Sequence, residues 1–149
     1  MLCELIVDKR CRMKIKTYRE LSRLHTFLER YSYLKLKGVV GDNTFGHARY
    51  LNQALYTSRR WKRIRDDVII RDDGCDLGII GHEIHDKIIV HHINPITIED
   101  LELDRDCVFD PDNLVCTTLN THNAIHYGDE SLLPRLPVER RRNDTSPWL

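Results

Sequence analysis

The 149-residue sequence contains no apolar run approaching the ~18 to 20 residues that cross a bilayer, so no membrane-spanning helix and no membrane partner are expected. It has no Cys-x-x-Cys pair. Its five cysteines, Cys3, Cys11, Cys75, Cys107 and Cys116, are scattered and odd in number, which argues against a disulfide framework and for a reduced, intracellular setting. None of them lies in a motif that marks a nucleophile. Internal repeats and low-complexity tracts are missing as well. The opening MLCELIVDKRCR lacks a small-residue cleavage site and carries Glu4 and Asp8 within its apolar segment, so a secretory signal is not expected. Finally, there is no net charge: 23 Lys and Arg balance 23 Asp and Glu. A neutral sum argues at first against a nucleic-acid partner, which a basic footprint would announce. What is present, 41% hydrophobic and 31% charged residues, is a globular composition long enough for one domain with a real core.

The neutral sum hides an asymmetry. Residues 1–71 hold 17 Lys/Arg and 7 Asp/Glu, a net of +10, whereas residues 72–149 hold 6 and 16, a net of −10. Opposed halves of this kind hint at polyanion contact on the basic side. Histidines gather in the acidic half: His82, His85, His91, His92, His122 and His126 lie there, and only His25 and His47 lie in the other. Carboxylates and imidazoles collected together suit a cation.

Four regions follow from the pattern. Residues 1–12 read as an extension outside the core, and residues 13–57 as a helical region. In residues 13–36, Thr17 and Glu20 have capping-box spacing, and Tyr18, Leu21, Leu24, Leu28, Tyr31 and Leu34 predict one apolar helix face. Residues 38–46 are turn-rich, and a further helix is expected from His47 to Tyr56. Residues 58–130 carry the chemistry. Ser58 or Thr57 is placed to cap a helix that Gly74 ends, with Trp61, Ile64 and Val68 toward the core. Arg59, Arg60, Lys62, Arg63 and Arg65 fill the rest of that helix, either as a solvated face or as a surface that tracks phosphates. Residues 87–90 and 114–116 read as short strands, residues 97–112 as acidic loop with at most one helical turn, and residues 119–126 as a short helix closed by Gly128. Residues 131–149, with three prolines, read as an extended arm.

Three segments carry the chemistry: Val90-His91-His92-Ile93-Asn94-Pro95, Asp112-Asn113-Leu114 and His122-Asn123-Ala124-Ile125-His126. His122 and His126 stand at i and i+4, so a helix projects both rings from one face, a spacing that suits metal ligation. His91 and His92 are adjacent, and an extended chain points them to opposite sides. One can then join the metal while the other faces a substrate. Taken singly, each of these residues has an ordinary explanation as a turn, loop or surface residue; the registered set is what carries weight.

His-His-Ile-x-Pro, then Asn-Leu, then a His nine residues after that Asn resembles the HNH endonucleases. The resemblance covers about residues 59–128. More loosely, the chain from Met13 through TFGHARYLNQ to the NDTSPW ending is similar to small phage or prophage HNH-type proteins. It implies an α+β fold, a ββα-metal (His-Me finger) motif preceded by N-terminal helices. It also implies a divalent cation (Mg²⁺, Mn²⁺, Ni²⁺ or Zn²⁺), a DNA substrate and a place in the cytoplasm of a bacterial host cell. Phage terminase or packaging proteins are the further partners it suggests. Residue by residue, it makes His91 and His122 metal ligands and His126 a third, more variable one. His92 becomes the general base, and Asn113 the residue that hydrogen-bonds across the loop and holds the base in position. The alternative is a catalytically silent HNH-fold protein that binds DNA or serves packaging assembly. Many HNH proteins carry a structural zinc on two Cys-x-x-Cys pairs. Here Cys75 faces Gly78 at one pair and Thr118 and Thr121 stand at the other, so no structural zinc is expected and the N-terminal helices are left to brace the motif. His82-Glu83-Ile84-His85 is expected to be a turn or strand edge with solvent-facing rings.

Overall fold

In the computed structural model, residues 15–36 and 49–134 are described. The expected extension at 1–12, the turn-rich stretch 38–46, His47 and residues 135–149 of the arm lie outside them. The described chain is mixed α and β, built around a two-stranded antiparallel sheet.

Where one N-terminal helix is expected there are two. Thr17 caps α1 (Tyr18–Leu21) by accepting from the Glu20 N–H, and Thr26 with Glu29 forms a full capping box that starts α2 (Phe27–Leu34). A second strong N-cap nine residues after the first interrupts the helix, because a cap residue is held in extended rather than helical backbone. The break resets the buried face. Phe27 goes inside and Leu28, assigned to the apolar stripe, stands 62% exposed.

Helix α3 (Arg49–Thr57) leads into α4 (Arg59–Arg71), whose first turn is capped by the Ser58 hydroxyl accepting from the Trp61 N–H. Gly74, at φ +64°, closes α4 by donating to the Ile69 carbonyl. Strand β1 (Ile89–His92) lies two residues beyond the expected run and pairs with β2 (Leu114–Thr117), with Val90 opposite Cys116 and His91 opposite Val115. Between the strands the acidic segment holds α5 (Ile98–Glu102), which Thr97 and Asp100 start with another capping box, and two single 3₁₀ turns. Helix α6 (Leu119–Tyr127) follows β2 directly and ends on Gly128 in the left-handed conformation. Residues 131–134 continue a 3₁₀ turn (Glu130–Leu132) that packs after α6. No helix among the described residues is long and apolar enough to cross a membrane.

Strand alternation distributes the core into two layers. Val90, Leu114 and Cys116 pack with Trp61, Val68, Leu55 and Val108 on the α4 side. Val115 packs with Ala124 and Ile125 of α6 and with Leu21, Phe27, Tyr31 and Leu34 of the N-terminal helices. Residues assigned to the 13–57 and 58–130 regions therefore share both layers. Polar contacts add to this bracing. Tyr31 donates its hydroxyl hydrogen to the Ala124 carbonyl at 3.3 Å, and the Leu36 N–H donates to the Ile125 carbonyl.

The turn at Asp76–Gly78 is the other fixed point. Leu77 sits at φ +54°, a left-handed conformation that strains a branched residue. Buried Arg30 holds it, donating to the carbonyls of Leu77 (2.6 Å), Gly78 (3.0 Å) and Leu24 (2.9 Å). A Cβ at Gly78 would meet the Tyr18 hydroxyl at 3.0 Å and Arg30 and Asp72 at 3.3 Å. Thr118 and Thr121 turn their hydroxyls to the buried Asp76 carboxylate, which also accepts from the Thr118 N–H. A carboxylate and two hydroxyls thus join the turn to the start of α6, and burial raises the Asp76 pKa above the usual carboxylate value. His82 departs from expectation: its ring stacks on Phe27 at 4.5 Å and 11° rather than facing solvent, while the Glu83 backbone bridges to Cys75.

Candidate metal centre

The site is built where β1 passes α6. His91 and Val115 are paired across the ladder on the α6 face of the sheet, so the His91 ring projects toward α6. His122 and His126 lie one turn apart on that helix. The three rings meet: centroids are 5.2 Å apart for His91 and His122, 5.0 Å for His91 and His126, and 4.4 Å for His122 and His126. Each offers a nitrogen, and these atoms all lie within 4.8 Å of one another. Two nitrogens bound at ~2.1 Å to a tetrahedral cation stand about 3.4 Å apart, so the widest pair has to close by up to about 1.4 Å for all three to bind one ion.

Electrostatics favours neutral donors. Burial, then the neighbouring His122 and His126, hold His91 well below the usual imidazole range. Burial also lowers His122, and burial followed by the nearby His122 ring takes His126 down to about 4. Neutral imidazoles keep the lone pairs that a cation needs. His122 Nδ1 donates a long 3.4 Å hydrogen bond to Asn123 Oδ1, which leaves Nε2 as its donor to a metal. The donor set therefore fits a borderline divalent cation such as Ni²⁺ or Zn²⁺ better than an oxygen-seeking one, and three protein ligands leave coordination positions open.

His92 goes the other way. Paired with Leu114 on the α4 face, its ring stacks on Trp61 at 5.4 Å and 25°, and Nε2 stands 3.0 Å from the Val108 carbonyl. A carbonyl only accepts, so Nε2 carries the hydrogen and Nδ1 is left as the proton acceptor. Burial lowers the His92 pKa and the Val108 carbonyl partly opposes it, so the ring is neutral at pH 7.

Asn113 makes its hydrogen bonds across the segment that joins the two strands. Its Oδ1 accepts from the Asn94 N–H (2.9 Å) and from Asn94 Nδ2 (2.7 Å), and its Nδ2 donates to the Cys107 carbonyl (2.9 Å). It makes no bond to the His92 ring among the described residues. What it joins is the segment after β1 to the turn that carries Val108, and the Val108 carbonyl is what orients His92. Asn94 in turn binds the main chain of Lys16 twice, accepting from its N–H at 2.9 Å and donating to its carbonyl at 2.7 Å. Sequence reasoning missed Asn94 and Lys16; Asn94 sits inside the motif, but its partner is 78 residues away.

The α4 cations separate into two groups. Arg60 reaches Asp104 (3.2 Å) and Asp106 (3.7 Å) and lies over the Phe109 ring at 3.9 Å, and Arg65 meets Asp66 at 3.4 Å. Those two are engaged within the chain. Arg59, Lys62 and Arg63 are exposed, on a helix that covers the sheet face opposite the three-imidazole cluster. Sequence reasoning also passed over Asp72, which is buried, paired with Arg71 at 2.8 Å and accepting from the Cys116 N–H at 2.8 Å. Burial first and Asp72 second push the Cys116 thiol and the Tyr18 hydroxyl up to about 12, so Cys116 is an unreactive thiol. Against protein-family models, curated proteins and solved structures, the chain gives no match, and the site is read from its own residues.

Proposed function

We propose that this chain is a metal-dependent DNA endonuclease in which β1, β2 and α6 form a ββα-metal unit of the HNH type. The observation that carries the reading is the opposite disposal of two adjacent histidines. His91 joins His122 and His126 in a neutral three-imidazole cluster, while His92 is turned away with Nε2 on a carbonyl and Nδ1 left basic. Phosphodiester hydrolysis asks for both functions, charge stabilisation at the phosphoryl group and a base for the attacking water, and adjacent residues of β1 would supply them.

In this reading His91, His122 and His126 hold a divalent cation, which when bound supplies Lewis-acid stabilisation of the phosphate and leaving oxygen. His92 takes the proton of the attacking water at Nδ1, its tautomer set by the Val108 carbonyl. Trp61 fixes the plane of the His92 ring, and Asn113 fixes the backbone that carries both His92's neighbours and Val108. The exposed cations Arg59, Lys62 and Arg63 are available to flanking phosphates.

Supercoiled plasmid incubated with Mg²⁺, Mn²⁺ or Ni²⁺ tests the reading. Wild type should yield nicked or linear product, and His92→Ala should be slower by about 10²- to 10⁴-fold, the usual contribution of a general base. Cleavage that is equal in the two proteins, or lacking in both, overturns the enzymatic reading and leaves the catalytically silent, DNA-binding one.

A further inference from the structure

Lys16 stands out among the cations of the described residues. Its backbone is clamped to the candidate site by both hydrogen bonds of the Asn94 side chain, and Asn94 is itself bonded through Nδ2 and its N–H to Asn113. The next residue is held as well: the Thr17 N–H donates to the Tyr33 hydroxyl at 3.1 Å. The Lys16 ammonium lies over the Tyr33 ring, 5.6 Å from its centroid, and Tyr33 packs against the core layer that holds Val115, Ala124 and Ile125 of the α6 side. Lys16 is half-buried, yet it makes no ion pair with a carboxylate among the described residues. Arg60, Arg65, Arg71 and Arg105, by contrast, all have one. A partly desolvated ammonium without a carboxylate partner among the described residues has an anion as its natural partner.

We propose that Lys16 contacts a phosphate of the bound nucleic acid at the three-imidazole site, with Asn94 as the residue that positions it. The inference rests on the endonuclease reading and sharpens it. A phosphate of the bound strand then lies beside the segment that precedes α1, where Asn94 holds it to the loop after β1. The basic face of α4 then serves, at most, phosphates farther along.

DNA affinity across a salt series tests this. The His92→Ala protein, which keeps the cluster and the fold, is the reference, in the presence of Mn²⁺. Adding Lys16→Gln should weaken binding about five- to tenfold at low salt and reduce the slope of log K against log salt by about 0.9, the share of one phosphate contact. Lys16→Arg should restore both. The thermal shift produced by the metal should be the same in all three, since the Asn94 bonds use only the Lys16 main chain, and that shift reports a folded site. If the His92-intact protein cuts plasmid while Lys16→Gln keeps the reference slope and affinity, the Lys16 contact is refuted and the endonuclease reading stands. If the His92-intact protein neither binds nor cuts DNA, both fall.

Discussion

Loss of one imidazole from the cluster should remove a stabilisation that a divalent cation otherwise confers, and its size follows from linkage. A ligand that binds only the folded state stabilises it by RT ln(1 + [L]/Kd), about 2.7 kcal/mol at a hundredfold excess over Kd. The described body has close to 110 residues, for which an unfolding entropy of ~2.1 cal/mol/K per residue converts that gain into a rise in Tm of about 12 °C. His122→Ala leaves two ligands. If its Kd is a hundredfold weaker, the same metal concentration yields only about 0.4 kcal/mol, or ~2 °C. Differential scanning fluorimetry with Zn²⁺ or Ni²⁺, wild type against His122→Ala, reads the difference directly. Acidity sharpens the comparison. Between about pH 7 and 5.5 a surface histidine with its pKa at ~6.5 loses about eightfold in neutral fraction, whereas His126, lowered to about 4, loses about 3%. The shift should therefore persist at pH 5.5. A shift of the same size in His122→Ala, none in wild type, or one that vanishes between pH 7 and 5.5, would refute the neutral buried cluster as the binding site.

Three further outcomes are expected. Arg30→Met removes a charged donor from the carbonyls of Leu24, Leu77 and Gly78 and releases the strained Leu77 turn. It should cost about 2 to 4 kcal/mol in urea unfolding, since a buried carbonyl left without its donor costs about 1 to 3 kcal/mol. Asn113→Ala deletes two bonds from Asn94 and one to the Cys107 carbonyl, at about 2 to 3 kcal/mol. It should slow plasmid cleavage through misplaced His92 while leaving the metal-induced rise in Tm in place. In metal-free protein, all four site imidazoles have folded pKa values below the unfolded ~6.5. The unfolded chain then binds more protons, so their contribution to stability should fall from pH 6.5 downward, for His126 through about pH 4. Excess divalent cation should delay that loss, as Tm against pH would register.

How far the sequence could be read depended on the range of each interaction. Ser58 before a periodic run, Gly128 after one, and the β-branched residues at 87–90 and 114–116 are local signals, and α4, α6 and the two strands formed at or within two residues of the expected places. The break between α1 and α2 was legible too, in Thr26 and Glu29. The longer apolar period across residues 18–34 masked it, and Leu28 is exposed as a result. Strand alternation and helical i, i+4 spacing alone separated His91 from His92 and placed His122 with His126. Spacing does not say that a strand residue meets a helix face. That depended on His91 pairing with Val115 and on Ala124 and Ile125 packing beneath it.

The opposed charges of the two halves, the odd and scattered cysteines and the registered histidines were properties of the sequence itself, and they were enough to raise a nucleic acid and a divalent cation as partners. Tertiary structure decided which cations remain available. Arg60 is engaged by Asp104 and Asp106, more than forty residues along the chain, whereas Lys16 is brought to the site by Asn94, 78 residues away. It also decided that Asn113 reaches the base only through the backbone, and that Asp76 with Thr118 and Thr121 ties the turn after α4 to α6. Capping and periodicity act between residues a few positions apart and leave a mark in the sequence. A hydrogen bond or ion pair across the fold depends on the path of the whole chain, and neither partner carries a sign of the other.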